Sequence, residues 1–453
     1  MEILNHKNFF FIGVGGAGMS AIAQYLSGIG KNVSGSDRLF LYHENDFIKE
    51  KLEAENINCF LQDGSGINEQ TEIVVASTAI EDSNLEIKKA KELGIKIVFR
   101  SDLLAAICAS KKTIALAGTS GKSTTTAMLF HILHHAGVSP SMITGAGIIN
   151  LIQEGKIGNA YVGKSDYLLI EADESDGSLV KYKAAIGVLL NMDKDHKELS
   201  ELEEIFETFK QNTTDYFIVN QSNDAVKKFS KNKELDFGKD TEIDGKNFSQ
   251  DGFSIRFQVK DEWIEIPTIG EHNMQNALAC IAAAKCCGVS LLQCKEALKT
   301  YPGIYRRHQL LGSKNEVLVI DDYAHNPAKI AASIKACQPV GDKLIAWFQP
   351  HGYGPTRFIR KELVEEITAA LRPQDEIWMS EIYYAGGTAE KNISANDIIN
   401  DLKENRVNAY FVEDRKALFQ QLLPTLKSKD VLLLMGARDP SLEHFGKEIF
   451  ELL

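Results

Sequence analysis

Short apolar runs recur along this chain, each ending in glycine or polar residues and most followed by a segment with helical spacing. Phe9-Phe10-Phe11-Ile12 is the first, followed by a glycine-rich turn and a helix over Met19–Leu26. Asn32-Val33-Ser34-Gly35-Ser36-Asp37 reads as a second strand with a polar end, and Ile73–Ala76 and Ile95–Phe99 as a third and fourth. Thr113–Ala117 is a buried strand running into a helix over Ala127–Leu133, with further strands at Tyr167–Ile170 and Ile186–Asn191. The polar stretch 221–270 carries short alternating runs such as Phe253–Phe257 and predicts a small β excursion. Helices follow over Asn273–Cys287 and Leu291–Lys299. Beyond residue 304, strands are expected at Val317–Ile320, Leu344–Phe348, Glu376–Met379, Ala409–Val412 and Val431–Met435. Strands alternating with helices predict the α/β class and parallel, doubly wound sheets.

Composition narrows the class. A length of 453 residues predicts roughly three domains at ~150 residues each. The boundaries expected are 1–106, 107–304 and 305–453. Apolar content of 44% and charged content of 25% are those of a globular protein. A net charge of −12 argues against a general nucleic-acid surface, so anionic ligands must be met by local basic groups and helix N-termini. Cys59, Cys108, Cys280, Cys286, Cys287, Cys294 and Cys337 form no C-x-x-C pair, and unpaired thiols suit a reducing cytoplasm. The charged start carries no leader-like segment, and no apolar run approaches the ~18–20 residues that cross a bilayer. No membrane partner is expected, and monomer and homodimer are both compatible with this sequence.

Gly118-Thr119-Ser120-Gly121-Lys122-Ser123-Thr124 lies between a strand and a helix. Such a turn aims backbone N–H groups at one point, where the helix dipole also favours an anion. Lysine then meets outer phosphates as a point charge, and the neighbouring hydroxyl can hold magnesium. The general pattern also wants glycine at 116, where Leu116 stands. Gly13, Gly15 and Gly18 form a second cradle, with Asp37 ending the next strand about 20 residues on. Read alone, that is a dinucleotide fingerprint and suggests a dehydrogenase, although the same loop can hold other pyrophosphates.

Four carboxylates crowd Glu171-Ala172-Asp173-Glu174-Ser175-Asp176, and a cation or solvent must relieve them. Glu171, at the strand end, is best placed to ligate magnesium. His196 lies beyond the next strand end, where it can serve a second cation or orient an acceptor. Lys210 reads as a solvated helix residue. Asn273 and Asn276 offer amide donors and acceptors suited to an adenine edge, and Asn273 alone would be an ordinary N-cap. Arg306 and Arg307 can reach a transferring phosphoryl group or stand as a solvated pair. Tyr323, His325 and His351 sit at strand ends of the last segment.

These motifs, in this order and over nearly the whole chain, resemble the Mur ligase family of ATP-dependent amide-forming enzymes. That family's phosphate loop, G-T-x-G-K-[ST]-[ST], fits Gly118–Thr124 and accounts for Leu116. The resemblance implies a Rossmann-like first domain, a central P-loop ATPase-type domain and a Rossmann-like last domain. By it, Gly15, Gly16, Ala17, Gly18, Ser36, Asp37, Ser77 and Thr78 hold a UDP-sugar rather than NAD. ATP is held by Gly118–Thr124 with Asn273 and Asn276, and Mg2+ by Ser123, Glu171 and His196. Lys122 and Arg307 lie at the transferring phosphate; Tyr323, His325, His351 and Arg357 take the amine substrate. The implied reaction, a step of peptidoglycan precursor synthesis, joins the carboxylate of UDP-N-acetylmuramate to an amino acid through an acyl phosphate. L-Alanine is the first candidate amine and a murein peptide the second. Lys122, Glu171 and His196 together argue against a non-catalytic sugar-nucleotide sensor.

The departures lie at the amine end. The family's F-Q-P-H-R-Y-T-R-T-R reads Phe348-Gln349-Pro350-His351-Gly352-Tyr353-Gly354-Pro355-Thr356-Arg357 here. Two arginines expected to place the incoming carboxylate are absent, each such donor contributing about 1.5–3 kcal/mol. Ser120 stands where histidine is usual, and Ala324 and Asn326 interrupt D-D-Y-G-H-H-P.

Overall fold

The structure is a computed structural model describing every residue except 1, 43–45, 79, 176, 194–198, 385–389 and 440, with the side chains of 41, 42, 46 and 443 also left undescribed. His196 therefore lies outside the described residues, as do Ala79 and Asp176 of the quoted loops.

Twenty strands form four sheets among the described residues. The first contains β1 (Asn8–Ile12), β2 (Asn32–Ser36), β3 (Ile57–Phe60), β4 (Ile73–Ala76) and β5 (Lys96–Phe99), ordered β3-β2-β1-β4-β5 and all parallel. The second contains β6 (Lys112–Ala117), β7 (Ser141–Ile143), β8 (Ala160–Tyr161), β9 (Tyr167–Ala172), β10 (Ala184–Leu189) and β11 (Thr213–Val219), ordered β11-β10-β6-β9-β7-β8. Only β8 runs antiparallel there. The expected β excursion is a three-stranded sheet of β12 (Lys246–Asp251), β13 (Ser254–Val259) and β14 (Glu262–Ile266). The last sheet, ordered β15-β16-β20-β17-β18-β19, contains β15 (Gln309–Lys314), β16 (Val317–Asp322), β17 (Lys343–Gln349), β18 (Glu376–Ser380), β19 (Ala409–Val412) and β20 (Asp430–Gly436).

The unbroken apolar runs have a simple cause. Successive strand side chains face opposite ways, so a sheet covered on both faces needs apolar residues at every position. Phe9 and Phe11 of β1 join one core cluster, whereas Phe10 and Ile12 join another. Likewise Ile345 and Trp347 of β17 face one core, and Leu344, Ala346 and Phe348 the other.

Packing divides the chain into two compact units, the first holding β1–β11 and the second β15–β20. Residues 106 and 107 lie inside the first unit, because one continuous core takes side chains from β1, β4, β6 and β9 together. Polar bonds reinforce that core. The Asn159 amide nitrogen donates to the Ala17 carbonyl (2.8 Å) and Ser20 Oγ (3.0 Å), and its Oδ1 accepts from Gln24 Nε2 (2.8 Å). Asn159 and Gln24 are both buried.

Candidate functional site

In the second sheet β6 is central, with β9 and β10 on either side. The parallel register aligns Leu116 with Glu171 and Val188, and Ala117 with Ala172 and Leu189. Three loops therefore leave the carboxyl ends of adjacent strands at one level, the position where open α/β sheets gather ligands. Leu116 is a buried strand residue, and the chain turns only at Gly118. Gly118 has φ +141, and a Cβ there would come within 3.2 Å of the Asn191 backbone. Gly121 has φ +83, and a Cβ there would lie 2.7 Å from Asn276 Oδ1. The helix Lys122–His135 then starts with no side-chain cap, leaving its first N–H groups for a ligand.

The loop is braced from β10. Asn191 Oδ1 accepts from the Ser120 N–H (2.9 Å) and Thr119 Oγ1 (3.0 Å), and its Nδ2 donates to the Ser120 carbonyl (3.0 Å). Ser123 Oγ donates to Glu171 Oε2 at 2.9 Å. Glu171 Oε1 accepts from the Gly145 N–H (2.9 Å) and from Thr144 Oγ1. Thr144 and Gly145 follow the three-residue β7, too short a run to attract notice in the sequence. This donor set is oxygen only, a carboxylate with two hydroxyls, and suits a hard cation such as magnesium. Lys122 Nζ donates to the Gly118 carbonyl (2.7 Å) and to Glu174 Oε2 (2.8 Å), with Asp173 Oδ1 at 3.7 Å. Burial pushes the Asp173 carboxyl up, but the Lys122 charge and the Ser175 donors outweigh it and hold the group below the ordinary carboxylate range. The protein thus supplies the cation that relieves the acidic loop.

Asn273 and Asn276 are buried in the first turns of the helix Glu271–Cys286. Asn273 is not the cap of that helix: Glu271 begins it, and the Asn273 Oδ1 accepts from Asn276 Nδ2 (3.0 Å). Asn276 Oδ1 accepts from Thr125 Oγ1 (3.2 Å), so this amide lies directly against the phosphate loop. Thr124 is half-buried in the same helix start.

In the first sheet, the Gly13 and Val14 N–H groups donate to the Ser36 carbonyl at 2.7 and 2.9 Å. The Asp37 carboxylate accepts from the Gly15 N–H (3.0 Å) and the Leu39 N–H (3.0 Å). Asp37 braces the glycine loop itself. Gly16 precedes the helix Ala17–Gly28 and leaves its N-terminus without a side-chain cap. Gly18 packs against Arg100. Ser77 and Thr78 follow the end of β4, beside β1. Sequence reading missed Glu86, which is fully buried and accepts a 2.6 Å bond from Ser36 Oγ. Burial pushes its carboxyl up to about 7, against bonds from Ser36 and the Gly64 backbone, with Asp63 and Asp37 adding to the rise.

That shift predicts a pH dependence. Between its ordinary value and about 7, Glu86 keeps its proton when folded and loses it when unfolded. Its contribution to stability is complete below the ordinary value and disappears as pH rises through about 7. Glu86→Gln should therefore gain on the wild type between pH 5 and pH 8, by up to about 3 kcal/mol. Denaturation midpoints of both proteins at the two pH values measure this; a constant difference contradicts it.

In the second unit, Arg306 is not available to a phosphoryl group. It is buried, its Nε meets both Asp321 oxygens (3.0 and 3.2 Å), and its Nη2 donates to the Gly436 carbonyl (2.8 Å). Arg307 is exposed, 5.5 Å from the Tyr323 ring. His325 Nδ1 lies 2.9 Å from the Tyr323 carbonyl, and its ring centroid is 5.8 Å from that of His351. Burial lowers the His325 pKa despite the Tyr323 carbonyl, with Lys329, Arg307 and Arg438 adding to the fall. His351 is lowered to about 4 by burial, the facing His325 and Arg438. His351 is therefore neutral near pH 7, with a lone pair able to accept a hydrogen bond. Arg357, exposed, donates a long 3.4 Å bond to the Glu390 carbonyl. Asn326 caps the helix Pro327–Cys337 by accepting from the Lys329 N–H (2.9 Å).

Three family models match the chain: "Mur ligase family, catalytic domain" over residues 8–112, "Mur ligase middle domain" over 116–284, and "Mur ligase, glutamate ligase domain" over 306–438. A UDP-N-acetylmuramate–L-alanine ligase of Hydrogenobaculum sp. is 35% identical over 448 residues, covering 95% of this chain and 96% of that relative. The enzyme of that name from Synechococcus elongatus is 33% identical, covering 96% and 94%. Among solved structures, a UDP-N-acetylmuramate–alanine ligase from Thermotoga maritima superposes with a TM-score of 0.80 at 26% identity, covering 98% of this chain and 99% of that one. A murein peptide ligase from Psychrobacter arcticus shares the fold, with a TM-score of 0.67 at 21% identity and 98% of each chain covered.

Proposed function

Because this chain belongs to the Mur ligase family, we propose that it joins the carboxylate of UDP-N-acetylmuramate to an amine, L-alanine first, with ATP converted to ADP and phosphate. The observation that carries the reading is the meeting of Lys122, Ser123 and Glu171 at adjacent strand ends, with relatives of that activity matching nearly end to end. In this reading the glycine turn and free helix N-terminus cradle the ATP phosphates, and Lys122 neutralises charge on the transferring group. Ser123 and Glu171 hold the magnesium, which screens phosphate charge when bound. Gly15–Gly18 and the Ser36 and Ser77 strand ends take the sugar nucleotide, and His351 and His325 help hold the amine. Arg307, exposed at the start of the second unit, belongs to the phosphoryl end. The division into three functional domains and a cytoplasmic location follow from the same reading. Among the described residues no helix is long and apolar enough to cross a membrane, and all seven cysteines are free thiols.

Gly352 and Pro355 favour a second reading, in which the amine belongs to a murein peptide. A peptide carries its recognition groups farther from the reacting nitrogen and relies less on a carboxylate clamp beside it. ADP formation with UDP-N-acetylmuramate is the test, using L-alanine, other amino acids and L-Ala-γ-D-Glu-meso-diaminopimelate in turn. Turnover with L-alanine is expected; turnover confined to the tripeptide selects the second reading, and none with any amine defeats both.

A further inference from the structure

The protein's own groups engage Lys122. Its side chain is 13% exposed, and the Glu174 side chain beside it 7%. An ammonium buried this far is costly unless paired, and Glu174 at 2.8 Å supplies the pair. Asp173 is farther off at 3.7 Å and half exposed, and Glu171 is occupied by Ser123, Thr144 and Gly145.

We propose that Glu174 is the resting counter-ion of Lys122, a carboxylate that nucleotide phosphates must displace or share to reach the lysine. The inference rests on the nucleotide reading above. Two consequences separate it from a structural role. Phosphate oxygens drawn to Lys122 approach the Glu174 carboxylate, and like charges at such range repel. Removing that charge at constant shape should tighten the binding of magnesium-free nucleotide, whereas loss of a structural contact would weaken it. A divalent cation screens the same repulsion, so magnesium should help the wild type more than the variant.

The experiment is calorimetric titration of the full chain with ATP, in excess EDTA and in excess magnesium, for wild type, Glu174→Gln and Glu174→Asp. Glu174→Gln is expected to bind ATP in EDTA about tenfold tighter than wild type, a gain of about 1.4 kcal/mol, and to gain less from magnesium. Glu174→Asp, which keeps the charge but draws it back by one methylene, should tighten binding by a smaller factor. It carries the test if the glutamine variant does not fold. Folded variants that bind ATP in EDTA no tighter than wild type overturn the proposal. A wild type that binds no ATP in either buffer overturns the nucleotide reading itself, and the inference falls with it.

Discussion

Lys122→Ala is expected to lower ADP formation by about a hundred- to a thousandfold, the scale seen when a preorganised charge or donor is taken from a transition state. The ammonium sits within the loop mouth, fixed by the Gly118 carbonyl at 2.7 Å and Glu174 at 2.8 Å, and Lys122 is the only basic residue of Gly118–Thr124. No neighbour in that loop can replace its charge. Lys122→Arg should be nearly as poor, because a planar guanidinium cannot fill a space shaped for a point charge. Lys122→Ala also leaves Glu174 buried without its cation, so folded content must be measured beside turnover. Lys122→Ala with Glu174→Gln removes that penalty and should remain inactive. Substantial turnover by either Lys122→Ala protein would remove the phosphate loop from the mechanism.

Asp321→Asn is expected to destabilise the second unit by about 3–5 kcal/mol, the cost of leaving a buried charge without its partner. Arg306 is 7% exposed and Asp321 4%, and the guanidinium bonds are directed at both carboxylate oxygens. The neutral amide keeps the volume and loses the charge. Replacing both residues, Arg306→Met with Asp321→Leu, should recover most of the loss, since a buried pair often contributes little over an apolar one of similar size. Tryptophan fluorescence is a selective probe: Trp347 and Trp378 are buried in β17 and β18, whereas the third tryptophan, Trp263, is substantially exposed. A urea midpoint unchanged in Asp321→Asn would show that the Arg306 charge is met elsewhere.

The strands flanked by glycine or acidic residues were legible because a sheet covered on both faces demands an apolar residue at every position. β1, β6, β9 and β17 all read this way. β3, β7, β11 and β15 were not anticipated. Ile57–Phe60 and Gln309–Lys314 carry polar residues through the strand, and Ser141–Ile143 is only three residues long. Pairing with a neighbouring strand, rather than an apolar run of their own, makes strands of β3 against β2, β7 against β9 and β15 against β16.

The candidate sites divide in the same way. Gly118–Ser123, Glu171 and the glycines at 13–18 announce themselves locally, because a tight turn and a carboxylate at a strand end are features of consecutive residues. Partners were chosen by the fold. Asp37 turned inward to hold Gly15, Arg306 was buried on Asp321, Glu86 met Ser36, and Glu174 captured Lys122 from 52 positions away. The sequence by itself determined which residues carry charge and where the chain can turn. Only the tertiary structure decided which charge faces which, because strand order and register bring together groups that no local pattern relates, and burial then obliges each to be paired.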